Sequence, residues 1–438
     1  MRSMHLGATV SVAAMCAMGI LAAQSAQAQT YKVLHTFTGG KDGGIPNAVI
    51  QDAEGNLYGT TSAGGDYGYG TVFKLSKTGK VTVLYKFKGG ADGGYPDAGV
   101  IPDATGDLYG TTAGGGAAAC PGGCGTVFKL SKIGKETVLH SFTGGADGAF
   151  PNAVIQDAKG DLYGTAEGGG DTACFGGCGT VFKLSKTGKE TVLYSFKGGA
   201  DGENPSAGVI QDAKGNLYGT TLYDGGRGCQ GFGCGVVFKL DTAGKETVLH
   251  NFKGGADGEY PLAGVIREAK GNLYGTTFEG GAAGYGTVFK LSGTGKETVL
   301  YSFTGGADGG NPYAGVIQDA KGNFYTTTSA GGASGGGTVF KLSRTGKGTA
   351  LYSFTGGTDG WAAARWGNPG RQRQPLRNHQ RGRRSFLRDR KLRLWGGVQT
   401  DSVIAALDSL ERLLNVLHGV SQHHRPPVWA RHWAVGLC

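Results

Sequence analysis

The chain has 438 residues, 87 of them glycine without a G-X-Y period, which excludes collagen, and its 10% aromatic content supplies enough apolar material for packed layers. Its formal charge of +10 sits at one end: residues 361–438 hold 14 Lys and Arg against 4 Asp and Glu, and the remainder holds 29 of each sign. A basic nucleic-acid surface on the body is thereby excluded.

Residues 1–28 read as a signal peptide, with Arg2 and His5, an apolar stretch over 6–23, and Ala26-Gln27-Ala28 as a small-x-small cleavage site. The expected location is secreted or at the cell surface of a bacterium. A retained membrane anchor is the alternative, but no stop-transfer flank follows, and no later segment has 18 apolar residues in a row, so no membrane span is expected after cleavage.

Beyond the signal one unit recurs. Gly55-Asn56-Leu57-Tyr58-Gly59-Thr60-Thr61 returns from Gly106, Gly160, Gly215, Gly271 and Gly322, at spacings of 51 to 56 residues. A G-T-V-F-K-L run, an S-K-T-G-K turn and a T-V-L-Y-x-F run follow each copy. Every unit thus contains four short β-type runs, here called a to d, bounded by turn residues. In the fourth unit these are 207–211, 217–221, 236–240 and 247–252, with Gly244 supplying the tight c–d hairpin. A four-stranded antiparallel unit of this length cannot bury both faces alone, and stacking solves that. The expectation is an all-β fold, a β-propeller occupying residues 29–360; a β-solenoid, whose coils are usually shorter, is the rival. Residues 31–37 match strand d but lack strands a to c before them. They are expected to complete the last blade and so close the ring.

Three features of the units carry candidate chemistry. Cys120 with Cys124, Cys174 with Cys178, and Cys229 with Cys234 lie in three b–c loops; structural zinc needs four ligands and each loop offers two, so local disulfides are expected. The G-G-x-D-G segment between strands d and a supplies Asp42, Asp92, Asp147, Asp201, Asp257, Asp308 and Asp359 on the same face as the cysteine loops. A ring of such carboxylates could take Ca²⁺; the preferred alternative is that each bonds its own Gly-rich turn, so no cofactor or metal is assigned. His35, His140 and His250 stand in strand d where other units have Tyr, which favours packing over catalysis. The T-G-K-E-T segments lack the first Gly of a phosphate loop and repeat as hairpin turns. Gln230, Phe232, Arg227, Glu203 and Glu259 are among the few unit-specific loop residues.

After Gly360 the repeat stops and the composition changes; all five Trp lie beyond it. Codons permitted for residues 367–381, slid forward by one nucleotide, spell V-I-Q-D-A-N-G-N-L-Y-G-T-T-N-E, strands a and b of a seventh unit. The same shift at residues 392–400 permits C-G-S-G-V-V-F-K-L, strand c, and then a stop at residues 403–404. Six in-frame blades with a seventh lost to a frameshift is the resulting expectation. Residues 361–438 are then a basic, out-of-frame tail without a selected fold, including the amphipathic pattern over 404–420, the Arg cluster, and His423 and His424.

The combination V-L-Y-S-F-x-G-G-x-D-G, G-N-L-Y-G-T-T, G-G and G-T-V-F-K-L resembles the GloVer tandem repeat of bacterial extracellular proteins, over residues 31–360. Thr326, in place of a Gly, is a departure within the sixth unit. The resemblance implies an exported repeat protein and brings no catalytic residue with it. A non-catalytic binding or scaffold propeller for an extracellular protein or glycan is therefore expected. A propeller lyase or lactonase with a site at the central channel is the alternative, although catalysis needs residues in different roles and these units are nearly interchangeable.

Overall fold

A computed structural model describes residues 31–226, 228–360 and 402–407. It is an all-β propeller of six antiparallel blades, each ordered a-b-c-d. Blade 1 is Gly44–Gln51, Leu57–Ala63, Thr71–Leu75 and Val81–Lys86; blade 2 is Ile101–Pro102, Leu108–Thr112, Thr126–Leu130 and Glu136–Ser141. In blade 3 strand a is split into Ala149–Pro151 and Ile155–Gln156, followed by Leu162–Gly168, Thr180–Leu184 and Glu190–Ser195. Blades 4 and 5 are Ile210–Gln211, Leu217–Thr221, Val236–Leu240, Glu246–Asn251 and Ile266–Arg267, Leu273–Thr277, Thr287–Leu291, Glu297–Ser302. Blade 6 is Ile317–Gln318, Phe324–Thr328, Thr338–Leu342 and Gly348–Ser353. Among the described residues no helix is long and apolar enough to cross a membrane.

The core lies between blades. The strand-c Phe of one blade meets, edge to face or tilted, the Phe that follows strand d of the blade before it: Phe87 on Phe128, Phe142 on Phe182, Phe196 on Phe238, Phe252 on Phe289 and Phe303 on Phe340, with centroids 4.8 to 5.2 Å apart. Most of these rings are fully buried. Such a contact can form only when a neighbour is present, which is the physical reason the unit repeats.

In blades 2, 4, 5 and 6 strand a is only two residues long, whereas in blade 1 it spans Gly44–Gln51. In blade 4 only Ile210–Gln211 pairs with strand b, whereas the pattern begins at Ala207. The preceding carbonyls are taken by the neighbouring blade: Thr60 Oγ1 donates to Ala98 O (2.7 Å), Thr165 to Ala207 O (2.7 Å), Thr220 to Ala263 O (3.0 Å) and Thr276 to Ala314 O (3.0 Å). The inner strand thus exchanges ladder bonds within its blade for bonds across the blade boundary.

The N-terminal strand Tyr31–Phe37 stands between blade 6 and blade 1. Phe37 packs on Phe73 of blade 1 at 4.9 Å, as Phe87 does on Phe128, while Tyr31 stacks on Tyr352 of blade 6 at 4.0 Å and donates its hydroxyl to Asp359 O. Its antiparallel partner is Ser402–Leu407. The pairing skips Leu34, just as blade 1 skips Leu84, so Ala405 opposite Val33 holds the register that Phe73 holds opposite Val83. The strand-c place beside Tyr31–Phe37 is therefore filled by tail residues other than 392–400, and residues 404–407 are extended where their spacing suggested a helix. An open strand edge and the β-branched pair Val403-Ile404 favour that state. Residues 1–28, read from the sequence as a signal peptide, the Arg cluster, His423, His424 and Arg227 lie outside the described residues.

A candidate ligand-binding face

The d–a turns and b–c loops share one face because they are bonded to each other. Gly65 N donates to Gly40 O, and the same bond recurs as Gly116 to Gly90, Gly170 to Gly145, Gly225 to Gly199, Gly281 to Gly255 and Gly332 to Gly306.

Each predicted Asp organises its own turn. Asp92 accepts from Lys88 N (2.9 Å) and the Tyr85 hydroxyl (3.0 Å); Asp147 from Thr143 N (2.9 Å), Thr143 Oγ1 and His140 Nε2 (3.3 Å). Asp42, Asp201, Asp308 and Asp359 repeat the pattern with His35, Tyr194, Tyr301 and Tyr352, while Asp257 accepts from Lys253 N and lies 3.5 Å from His250 Nε2 without a hydrogen bond between them. His and Tyr exchange in strand d because both reach this carboxylate, and burial lowers the His140 pKa despite the nearby Asp147. At Asp42 and Asp359 the hydrogen bonds outweigh burial and hold the carboxyl below its ordinary value. The seven Asp form no group of three with carboxylate oxygens within 4.8 Å of one another. Among the described residues, the groupings of three close metal-capable side chains are Cys174, Cys178, Glu203 and Cys229, Cys234, Glu259.

The cysteines form three disulfides, Cys120–Cys124, Cys174–Cys178 and Cys229–Cys234. Each rests on the glycine of its own blade's exit turn: a Cβ added to Gly144 would lie 2.7 Å from Cys120 Sγ, and one on Gly198 2.8 Å from Cys174 Sγ. In blades 1 and 5 the Tyr69 and Tyr285 rings press on the equivalent Gly89 and Gly305, where a Cβ would come within 2.5 and 2.6 Å. A bridge and a tyrosine are thus alternative ways of pinning the same loop.

Sequence reasoning missed a second ring. The residue before the proline of each strand-a entry has positive φ in all six blades: Ile45, Tyr95, Phe150, Asn204, Tyr260 and Asn311, at 52 to 59°. For Ile, Tyr and Phe this is a strained backbone. At Tyr95 it is fixed from both sides, as the Tyr95 N–H donates to Tyr69 O and the Tyr95 carbonyl accepts from Ala113 N. The available signal was a constant proline preceded by a residue that changes from blade to blade.

The same face carries the exposed aromatics. Tyr67, Phe175, Phe232 and Tyr285 are 55%, 97%, 60% and 42% exposed and all lie in b–c loops. Further rings back them, Tyr69 with Tyr95 at 5.2 Å and Tyr223 with Tyr260 at 5.7 Å. On the inner wall the backbones of neighbouring blades touch: a Cβ added to Gly99 would lie 2.6 Å from Ala48 O, and one on Gly264 or Gly315 3.1 Å from the carbonyl of the preceding blade. The opposite face has a different recurring cluster, in which a strand-b Tyr donates to the turn Asp and lies under a strand-c Lys, as in Tyr58, Asp52 and Lys74, with Arg267 in the Lys place over Tyr218 and Glu268 in the Asp place beside Tyr274.

The family model of the Gloeobacter/Verrucomicrobia repeat matches residues 7–232 and 228–365. The chain belongs to this repeat family. No curated protein matches it by sequence. Among solved structures, a protein assigned as a gluconolactonase is similar with TM-score 0.40 and 13% identity, over 69% of this chain and 90% of that one. The extracellular domain assigned to a hybrid two-component system of B. thetaiotaomicron gives 0.47 and 12%, over 74% of this chain and 36% of that one. Luciferin-regenerating enzyme gives 0.40 and 16%, over 65% and 84%. At such scores these likenesses bear on neither ligand nor activity of the Gloeobacter/Verrucomicrobia repeat protein.

Proposed function

We propose that this protein is an exported, non-catalytic binding or scaffold propeller that engages an extracellular glycan or protein through the face of its b–c loops and d–a turns. The observation that carries this reading is the placement of Tyr67, Phe175, Phe232 and Tyr285, four exposed aromatic rings on one face of otherwise interchangeable blades. Aromatic rings on a rigid scaffold give large contact area at small entropic cost, which suits sugar rings and protein surfaces alike. Three disulfides in loops of that face fit an oxidising compartment.

The test is a binding screen of the purified protein against immobilised extracellular polysaccharides and purified surface proteins. Replacing Phe175, Phe232 and Tyr285 together by Ser is expected to weaken any specific binding at least tenfold, while Ile133→Ser on the opposite hairpin leaves it unchanged. Binding that survives the triple change, or that falls with Ile133→Ser, would place the site elsewhere.

A further inference from the structure

The three disulfides are not equivalent. In each, the second cysteine is fully buried and the first is partly exposed: Cys124, Cys178 and Cys234 are 0 to 1% exposed. What differs is the residue that the next blade places against the bridge, at the first position after its D-G pair. This is Gly94 and Gly310 where a tyrosine pins the loop, Ala149 beside Cys120–Cys124, but Glu203 beside Cys174–Cys178 and Glu259 beside Cys229–Cys234. A carboxylate oxygen of Glu203 lies within 4.8 Å of both sulfurs, and Glu259 is placed likewise. That is close enough for proton transfer through one water molecule.

These carboxyls are half-buried beside like charges. Burial and then Asp224 raise the Glu203 pKa; burial and then Glu279 and Asp257 raise that of Glu259. Each can therefore carry a proton closer to neutral pH than a free glutamate. Between the cysteines of the same two loops in sequence stand Phe175 and Phe232, both with exposed apolar side chains.

We propose that blades 3 and 4 each carry a thiol–disulfide exchange site for an exposed dithiol segment of another chain, in which Glu203 and Glu259 are the proton donors to the buried sulfur. A substrate thiolate attacks Cys174 Sγ, forming a mixed disulfide and breaking the Cys174–Cys178 bond. Cys178 leaves as a thiolate and takes the proton of Glu203. The second substrate thiol loses its proton to the Glu203 carboxylate or to solvent, attacks the substrate sulfur of the mixed disulfide, and expels Cys174 as a thiolate. The substrate dithiol is oxidised by two electrons and the protein disulfide is reduced by two, so one turnover per blade needs no other oxidant. Blade 4 follows the same course with Cys229, Cys234 and Glu259. Blade 2, with Ala149, keeps a purely structural bridge.

The experiment incubates the oxidised protein with a reduced, unstructured two-cysteine peptide and follows each bridge by alkylation and mass spectrometry. Expected is formation of two peptide disulfides (four oxidising equivalents) per chain, one each from blades 3 and 4, at least tenfold faster than from Cys120–Cys124. Glu203→Gln should slow the blade 3 bridge about tenfold and remove the inflection from its pH profile, with blade 4 and the melting temperature unchanged, and Ala149→Glu should accelerate the blade 2 bridge. Equal rates at all three bridges, or an unaltered rate in Glu203→Gln, would overturn the assignment.

Discussion

Four glutamates open strand d in blades 2 to 5, and Glu136, Glu190, Glu246 and Glu297 each hold one carboxyl oxygen buried without a hydrogen-bond partner. Burial first, and then the Asp of the preceding blade, pushes the pKa of Glu136, Glu190 and Glu246 up to about 7. Because the folded value lies above the ordinary 4.5, the folded state holds a proton that the unfolded state has released between those two pH values. The stability linked to that proton is fully present below pH 4.5 and is lost as pH rises through 7. Glu136→Gln, which keeps the shape and removes the charge, is therefore expected to stabilise the protein by about 1 kcal/mol at pH 8, discounted for partial solvent screening, and by almost nothing at pH 4. Urea denaturation at the two pH values checks this, and an equal gain at both would show that the effect is not ionisation. The equivalent positions in the other strands d are Val81, Gly348 and, in the closing strand, Tyr31, so the carboxyls are a feature of the middle of the array.

Within a blade, strand b carries a glycine that faces the strand-c phenylalanine. A Cβ on Gly219 would lie 2.6 Å from Phe238 Cζ, and Gly59, Gly110, Gly164 and Gly275 face their rings in the same way. Blade 6 has Thr326 there, 3% exposed and donating to Ala314 O at 3.0 Å. Room is made on the far side of the ring: Phe340 pairs with Ala350 where the other blades pair Phe with Val, and Gly348 lies where a Cβ would meet Phe340 Cζ at 2.6 Å. Gly219→Thr alone is thus expected to cost about 1–3 kcal/mol by overpacking. Combined with Val248→Ala and Glu246→Gly it should cost at least about 1 kcal/mol less than the three changes added separately; simple additivity in chemical denaturation would refute the compensation. Strands b, c and d were legible in the sequence because alternation and glycine turns are local signals. The shortness of strand a was not, since its carbonyls answer to Thr60, Thr165, Thr220 and Thr276 of another blade. The Asp turns and the cysteine pairs could be read from spacing alone. The left-handed residues before Pro96 and Pro151 could not, because a residue preceding proline ordinarily favours an extended backbone and bonds to Tyr69 O and Cys124 O of the preceding blade help to hold these otherwise.

For the whole molecule the decisive element is the seventh position, where Tyr31–Phe37 stands between blade 6 and blade 1. Its Phe37 completes the Phe contact with blade 1, but Phe354 at the end of blade 6 meets Tyr31, at 5.7 Å, in place of a strand-c phenylalanine. The register residue for that phenylalanine is Ala405. The frame-shifted reading of residues 392–400 contains V-V-F-K-L, which would supply it, together with strands a and b from residues 367–381. Three chains then form an ordered series: truncation after Gly360, the chain as it stands, and the frame-corrected chain. Truncation removes Ser402–Leu407, which among the described residues is the strand paired with Tyr31–Phe37, and leaves an open edge. Correction adds two strands and one buried ring, worth about 2 kcal/mol for the ring alone. The melting temperature is expected to rise along the series, by about 5 °C or more at the last step, and aggregation at high concentration to fall. Equal melting temperatures for the corrected chain and the chain as it stands would mean that the seventh position contributes nothing to ring stability, and with it the physical case for a lost blade would go.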